Sequence, residues 1–163
     1  MKKIWSGALA LLTVGALAAI LAGAATATPG GTATIQEVTV SNGPHQPPTG
    51  MFTATGLPGC TSGTLADQLV WFSPSGARLV VDRTYTCSEG GSFTARLGLH
   101  LSTVDVSGEQ PTDSTWRIIS TDGALTGLQG TGSGVGVGTG CAPIGAIFAE
   151  CAGGMGTTTA SIH

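Results

Sequence analysis

Positive charge is nearly missing from this chain. Of 163 residues, six are Lys or Arg and nine are Asp or Glu. Both lysines, Lys2 and Lys3, stand at the N-terminus, so beyond residue 27 four arginines (Arg78, Arg83, Arg96, Arg117) face nine acids, a formal charge of −5. Such a chain cannot neutralise a run of phosphates, which excludes nucleic acid as a partner, and it has no polybasic stretch to hold a membrane surface. Catalytic signatures are lacking too. There is no His-Glu-x-x-His, no G-x-S-x-G, no P-loop and no G-x-G-x-x-G after a βαβ pattern. The three histidines are His45 in a Pro-rich turn, His100 and the last residue, His163, so a Ser-His-Asp triad has only His100 to recruit. Nothing singles out a carboxylate pair among the nine acids. The four cysteines include no C-x-x-C, so neither zinc nor any other metal or cofactor is expected.

What is present begins with an address. Lys2 and Lys3 precede an apolar run from Ile4 to Ala25 that closes on Ala25-Thr26-Ala27, the pattern of a secretory signal ending in small residues at its cleavage site. Residues 1–27 are expected to be removed and the mature chain secreted, with no membrane attachment afterwards. The competing reading is a retained N-terminal anchor, because the run is long enough to span a bilayer. Position 24 is Ala rather than Cys, which argues against a lipoprotein. An exported chain with an even cysteine count reads as disulfide-bonded. Of three pairings, Cys60–Cys87 and Cys141–Cys151 are favoured, since each brackets a hairpin or loop and the others cross the Gly-rich segment between them.

Turn chemistry recurs at Ser41–Pro44, Leu57–Gly59, Ser73–Gly76, Ser88–Gly91, Ser107–Pro111 and Asp122–Gly123. Between these stops lie β-branched or alternating segments: Thr34–Val40, Met51–Leu57, Thr64–Phe72, Ala77–Cys87, Ser92–Val106 and Thr115–Thr121. In Ser92–Ser102, Phe93, Ala95, Leu97, Leu99 and Leu101 alternate with Thr94, Arg96, Gly98, His100 and Ser102, the pattern of an antiparallel strand with one face in a core. Gly130, Gly132, Gly134, Gly136, Gly138 and Gly140 recur at every second position. An extended strand there would carry a face without side chains, able to coil sharply or to let a bulky group lie against backbone; a flexible loop is the alternative. Thr157–Ile162 reads as a last strand. The expectation is an N-terminal segment with the first strand over residues 28–48 and one all-β domain over residues 34–163.

The run Trp116–Gly132, with its Gly-Leu-Gln-Gly-Thr-Gly close, resembles a strand–turn–strand motif of small exported bacterial proteins and the Gly-rich stretch of plant dirigent proteins and allene oxide cyclase. Gly59-Cys60 and Tyr85-Thr86-Cys87 look like cysteine positions of the exported bacterial group. The resemblance covers roughly residues 50–140 and implies an up-and-down antiparallel β-barrel of about eight strands with an interior cavity. Thr121 and Asp122 depart from the pattern, which has Gly and Thr there. The acids and arginine with which dirigent proteins steer coupling have no counterpart that can be mapped onto this chain. Oligomers are common in such barrels, so the resemblance also implies a homo-oligomer.

Function is read as binding of a small, mostly apolar ligand, with a dirigent- or cyclase-like isomerase as the alternative; catalysis itself stays open. Arg96 and His100 share one side of a strand about 13 Å apart by strand rise, and with Trp116 they are the ligand-binding candidates if that side faces a cavity. If it faces solvent they are ordinary outward polar residues. A third reading is an interaction module acting through the Cys141–Cys151 loop, where Pro143, Ile144, Ile147 and Phe148 either dock a partner or plug one end of the barrel.

Overall fold

The computed structural model describes residues 30–43, 46–144 and 148–163. The leader and its cleavage site, expected over residues 1–27, lie outside the described residues, as does His45. Ten strands follow in order: β1 Gly31–Val40, β2 Thr49–Thr55, β3 Ser62–Phe72, β4 Arg78–Cys87, β5 Ser92–Leu101, β6 Gln110–Asp122, β7 Gly130–Thr139, β8 Ala142–Ile144, β9 Phe148–Glu150 and β10 Gly153–Ile162. Eight of them close into an antiparallel barrel in the order β1-β10-β7-β6-β5-β4-β3-β2, while β8 and β9 form a separate hairpin within the β7–β10 connection. The all-β fold expected from turn spacing and alternation is present, in the form of the up-and-down barrel of about eight strands that the resemblance implies. Among the described residues no helix is long and apolar enough to cross a membrane.

Two boundaries differ most from expectation. The strand expected over Ser92–Val106 stops at Leu101, and β6 begins at Gln110 rather than Thr115. Asp105 explains both: its Oδ1 accepts hydrogen bonds from the Ser107 and Glu109 amides at 2.9 Å and from the Ser107 hydroxyl at 2.7 Å. Gly108 then turns the chain at φ +80°. A side-chain-organised turn of this kind offers the backbone an alternative to ladder pairing.

The two ends of the barrel are built differently. At one end Ile35, Phe52, Leu65, Tyr85, Phe93, Leu97 and Trp116 fill the lumen, and Leu57, Leu125 and Leu128 cover it from the connecting turns. The Tyr85 and Phe93 rings stack at 4.5 Å, with Phe52 edge-on to Tyr85 at 5.1 Å and Trp116 edge-on to Phe93 at 6.1 Å. The Cys60–Cys87 disulfide ties the β2–β3 turn to the end of β4 at this closed end, and the Cys141–Cys151 disulfide sits at the other. Both favoured pairings are thus present, the covalent chemistry of an oxidising, extracellular-type environment.

The alternate glycines of β7 are in a strand, on its inner face. A Cβ at Gly130 would lie 2.6 Å from Ile162 Cδ1 and 3.2 Å from Trp116 Cζ3, so this glycine makes room for the indole. A Cβ at Gly132 would lie 2.2 Å from the Thr159 carbonyl oxygen of the neighbouring β10. The side-chain-free face thus lets a bulky group lie on backbone and lets two strands curl closely together.

Candidate functional site

The end of the barrel opposite the aromatic core holds a cavity of about 870 Å³. Its walls are lumen-facing residues of several strands, including Leu79, Leu97, Leu99, Leu101, Thr112 and Ser114, and the glycine face at Gly136, Gly138, Gly154 and Gly156. Gln46, Leu69 and Phe72 lie at its margin and are solvent-exposed, so the space communicates with solvent. The volume falls in the range of small-molecule sites, about 300–1,000 Å³.

A charged cluster joins the cavity to the aromatic core. On β4, Arg83 points inward in phase with Val81 and Tyr85; directly opposite it in register on β3 is Asp67, in phase with Leu65. The guanidinium meets that carboxylate twice, Nε to Oδ1 at 2.6 Å and Nη2 to Oδ2 at 2.7 Å. Its Nη1 donates to Glu37 Oε2. Glu37 projects from β1, with β2 and β3 between it and β4, so this ion pair crosses the lumen. From the core side the Tyr85 hydroxyl donates to Glu37 Oε1. Glu37 and Arg83 are both buried, at 7% and 8% exposure.

Burial alone would pull the Arg83 guanidinium down, but the hydrogen bond to Asp67 and the charges of Glu37 and Asp67 outweigh it and hold its pKa above the ordinary arginine value. Burial pushes the Tyr85 hydroxyl well above the usual tyrosine range, and the neighbouring Glu37 charge adds to the shift. Near the mouth, Gln110 is 4% exposed and lines the cavity. Its Nε2 donates to the Ser102 carbonyl at 3.0 Å. Its Oε1 has only Cys151 Sγ nearby, at 3.8 Å, and a disulfide sulfur has no proton to give.

The residues singled out from sequence lie elsewhere. Because Phe93, Ala95 and Leu97 face the core, Arg96 and His100 fall on the outer face of β5, exposed and outside the cavity lining. Arg96 pairs there with Asp82 across the ladder, Nε to Oδ1 at 2.7 Å, and holds the Asp82 carboxyl below its usual range through that hydrogen bond. Trp116 is inward but belongs to the packed aromatic core, 2% exposed, and its Nε1 has no hydrogen-bond partner among the described residues. The three candidates are not brought together. The apolar plug or docking tip expected from Pro143, Ile144, Ile147 and Phe148 falls outside what is described, which excludes residues 145–147 and the side chains of Pro143, Ile144 and Phe148. Its base is described: Ala149, Glu150 and Cys151 border the cavity. Among the described residues no group of three or more His, Cys, Asp or Glu is arranged to hold a metal ion.

Glu37, Asp67 and Arg83 did carry a sequence signal, a charged residue in phase with buried apolar neighbours (Ile35, Leu65, Val81). It was masked because Leu79-Val80-Val81 and the outward Val38 and Val40 blur the alternation of β4 and β1. The geometry defines a class, a closed antiparallel β-barrel packed at one end and hollow at the other. Beyond the class, no family model matches the chain, and no curated protein or solved structure matches it.

Proposed function

We infer that the protein is a secreted small-molecule binding barrel. The observation that carries this reading is the cavity of about 870 Å³ with largely apolar walls and a few converging polar groups, Glu37, Asp67, Arg83 and Gln110, at fixed positions. An apolar wall supplies affinity through removal of surface from water, and a small set of buried polar groups supplies orientation. The apolar run and small-residue triplet at the N-terminus and the two disulfides support export.

A dirigent- or cyclase-like isomerase remains the second reading. It draws on the same cavity, where Glu37 accepts from the Tyr85 hydroxyl at the lumen floor. Arg96 and His100, on the outer face, would take no part in it.

The experiment is a titration of the mature protein with the neutral apolar fluorophore N-phenyl-1-naphthylamine, alongside native mass spectrometry of protein collected from culture medium. Saturable one-site binding is expected. Thr112→Trp and Leu99→Trp, which put an indole into the cavity, should weaken binding at least about tenfold while keeping a cooperative thermal transition. Absence of saturable binding to the unaltered protein would remove the reading.

A further inference from the structure

We propose that the ligand is an amphiphilic cation, an apolar body bearing an amine or other positively charged, hydrogen-bond-donating head, and not a fatty acid or other apolar anion. This rests on the cavity reading above and names its ligand class. The charged residues that border the cavity are Glu37, Asp67, Arg83 and Glu150. Three carboxylates face one guanidinium there, so the formal charge of the lining is −2. The guanidinium is also committed: Nε and both terminal nitrogens each donate to a carboxylate of the same cluster. It therefore offers an incoming anion little that its partners have not already taken, and a ligand carboxylate would have to displace Asp67 or Glu37 and meet their repulsion.

One neutral polar group, Gln110, points the same way. Gln110 Oε1 is an acceptor in a residue 4% exposed, borders the cavity, and has no proton donor among the described residues. An orphaned buried acceptor is costly unless a donor reaches it, and an ammonium brings up to three donors and no acceptor. Glu150, half-buried at the mouth where the Cys141–Cys151 loop meets the barrel, has no ion-pair partner among the described residues. An acceptor-rich, net-negative lining inside apolar walls selects a donor-rich cation with an apolar tail.

The test is displacement of bound N-phenyl-1-naphthylamine by three probes of one chain length, octylamine, 1-octanol and octanoate, below the concentrations at which they aggregate. Octylamine is expected to displace it about tenfold more strongly than 1-octanol, with octanoate the weakest of the three. Glu150→Gln, a change at the mouth outside the ion-paired cluster, should weaken octylamine several-fold and leave 1-octanol unchanged. If octanol displaces the fluorophore but octylamine holds no advantage, or octanoate equals or exceeds it, the cation proposal fails while the binding barrel stands. If the fluorophore itself does not bind, both fail together.

Discussion

Arg83 is the residue on which the lumen's electrostatics turn. Its two carboxylate partners are taken out of water with it, and such a buried arrangement is stable only while every member is present. Arg83→Met should therefore cost about 3–5 kcal/mol, because it leaves Glu37 and Asp67 as uncompensated buried charges. Adding Glu37→Gln and Asp67→Asn to the same chain should recover a substantial part of the loss. Urea unfolding of the single and triple variants checks this, and a loss under about 1 kcal/mol for Arg83→Met would mean that water reaches the cluster freely.

Tyr85 gives a separate handle at the same scale, since it is the one tyrosine in the chain. Its folded-state pKa is raised, so the native protein keeps a proton that the unfolded chain loses near pH 10. The unfolded state then binds fewer protons, and stability is complete below about pH 10 and declines as pH rises toward the higher native value. In an ultraviolet titration, tyrosinate should emerge only together with unfolding. Tyrosinate forming near pH 10 in a protein that stays folded would contradict the burial of that hydroxyl.

At the scale of elements, β7 is the informative strand. Its inner glycines do two jobs along one length: at Gly130 the missing side chain admits Trp116 and Ile162, and at Gly138, on the cavity wall, it makes room for the Cys141–Cys151 disulfide, whose Cys151 Sγ would lie 2.7 Å from a Cβ there. Gly132→Ala should destabilise by about 1–3 kcal/mol, because its Cβ would meet the Thr159 carbonyl oxygen at 2.2 Å and Ala160 Cα at 2.7 Å. Gly31→Ala is the control, for nothing lies within 4 Å of a Cβ there. Thermal midpoints of the pair should separate clearly; equal midpoints would mean that β7 and β10 can move apart at little cost.

The whole molecule is a barrel with a sealed end and an open one, each with its own disulfide. The sealing bridge joins residues 27 apart, the other residues 10 apart. In the chain-entropy account removing the first costs about 3–4 kcal/mol and the second about 3. Location should separate them further. Cys60→Ala/Cys87→Ala loosens the turns that close the aromatic core, so its loss should appear in global unfolding by near-ultraviolet circular dichroism. Cys141→Ala/Cys151→Ala acts where Ala149–Cys151 border the cavity and should weaken fluorophore binding while the aromatic signal at 25 °C is kept. Loss of the aromatic signal at 25 °C in that second variant would show that the mouth and the core fold as one unit.

Much of this architecture was legible without coordinates. Turn residues at regular spacing and the strict alternation of Phe93–Leu101 carry strand identity locally, because a period of two and a positive-φ turn are properties of a few neighbouring residues. The glycine face of β7 and both disulfide pairings could be read in the same way. The site could not. Alternation divides β5 into two faces and leaves open whether the polar one meets solvent or a lumen; closure of the sheet put Arg96 and His100 outside. Glu37, Asp67 and Arg83 lie 30, 16 and 46 positions from one another along the chain, and they meet only because β1, β3 and β4 face one lumen. Strand, turn and bridge were thus determined by the sequence itself, whereas the cavity, its charge and the residues that carry it were decided by barrel closure, since convergence across a lumen is a property of no local segment.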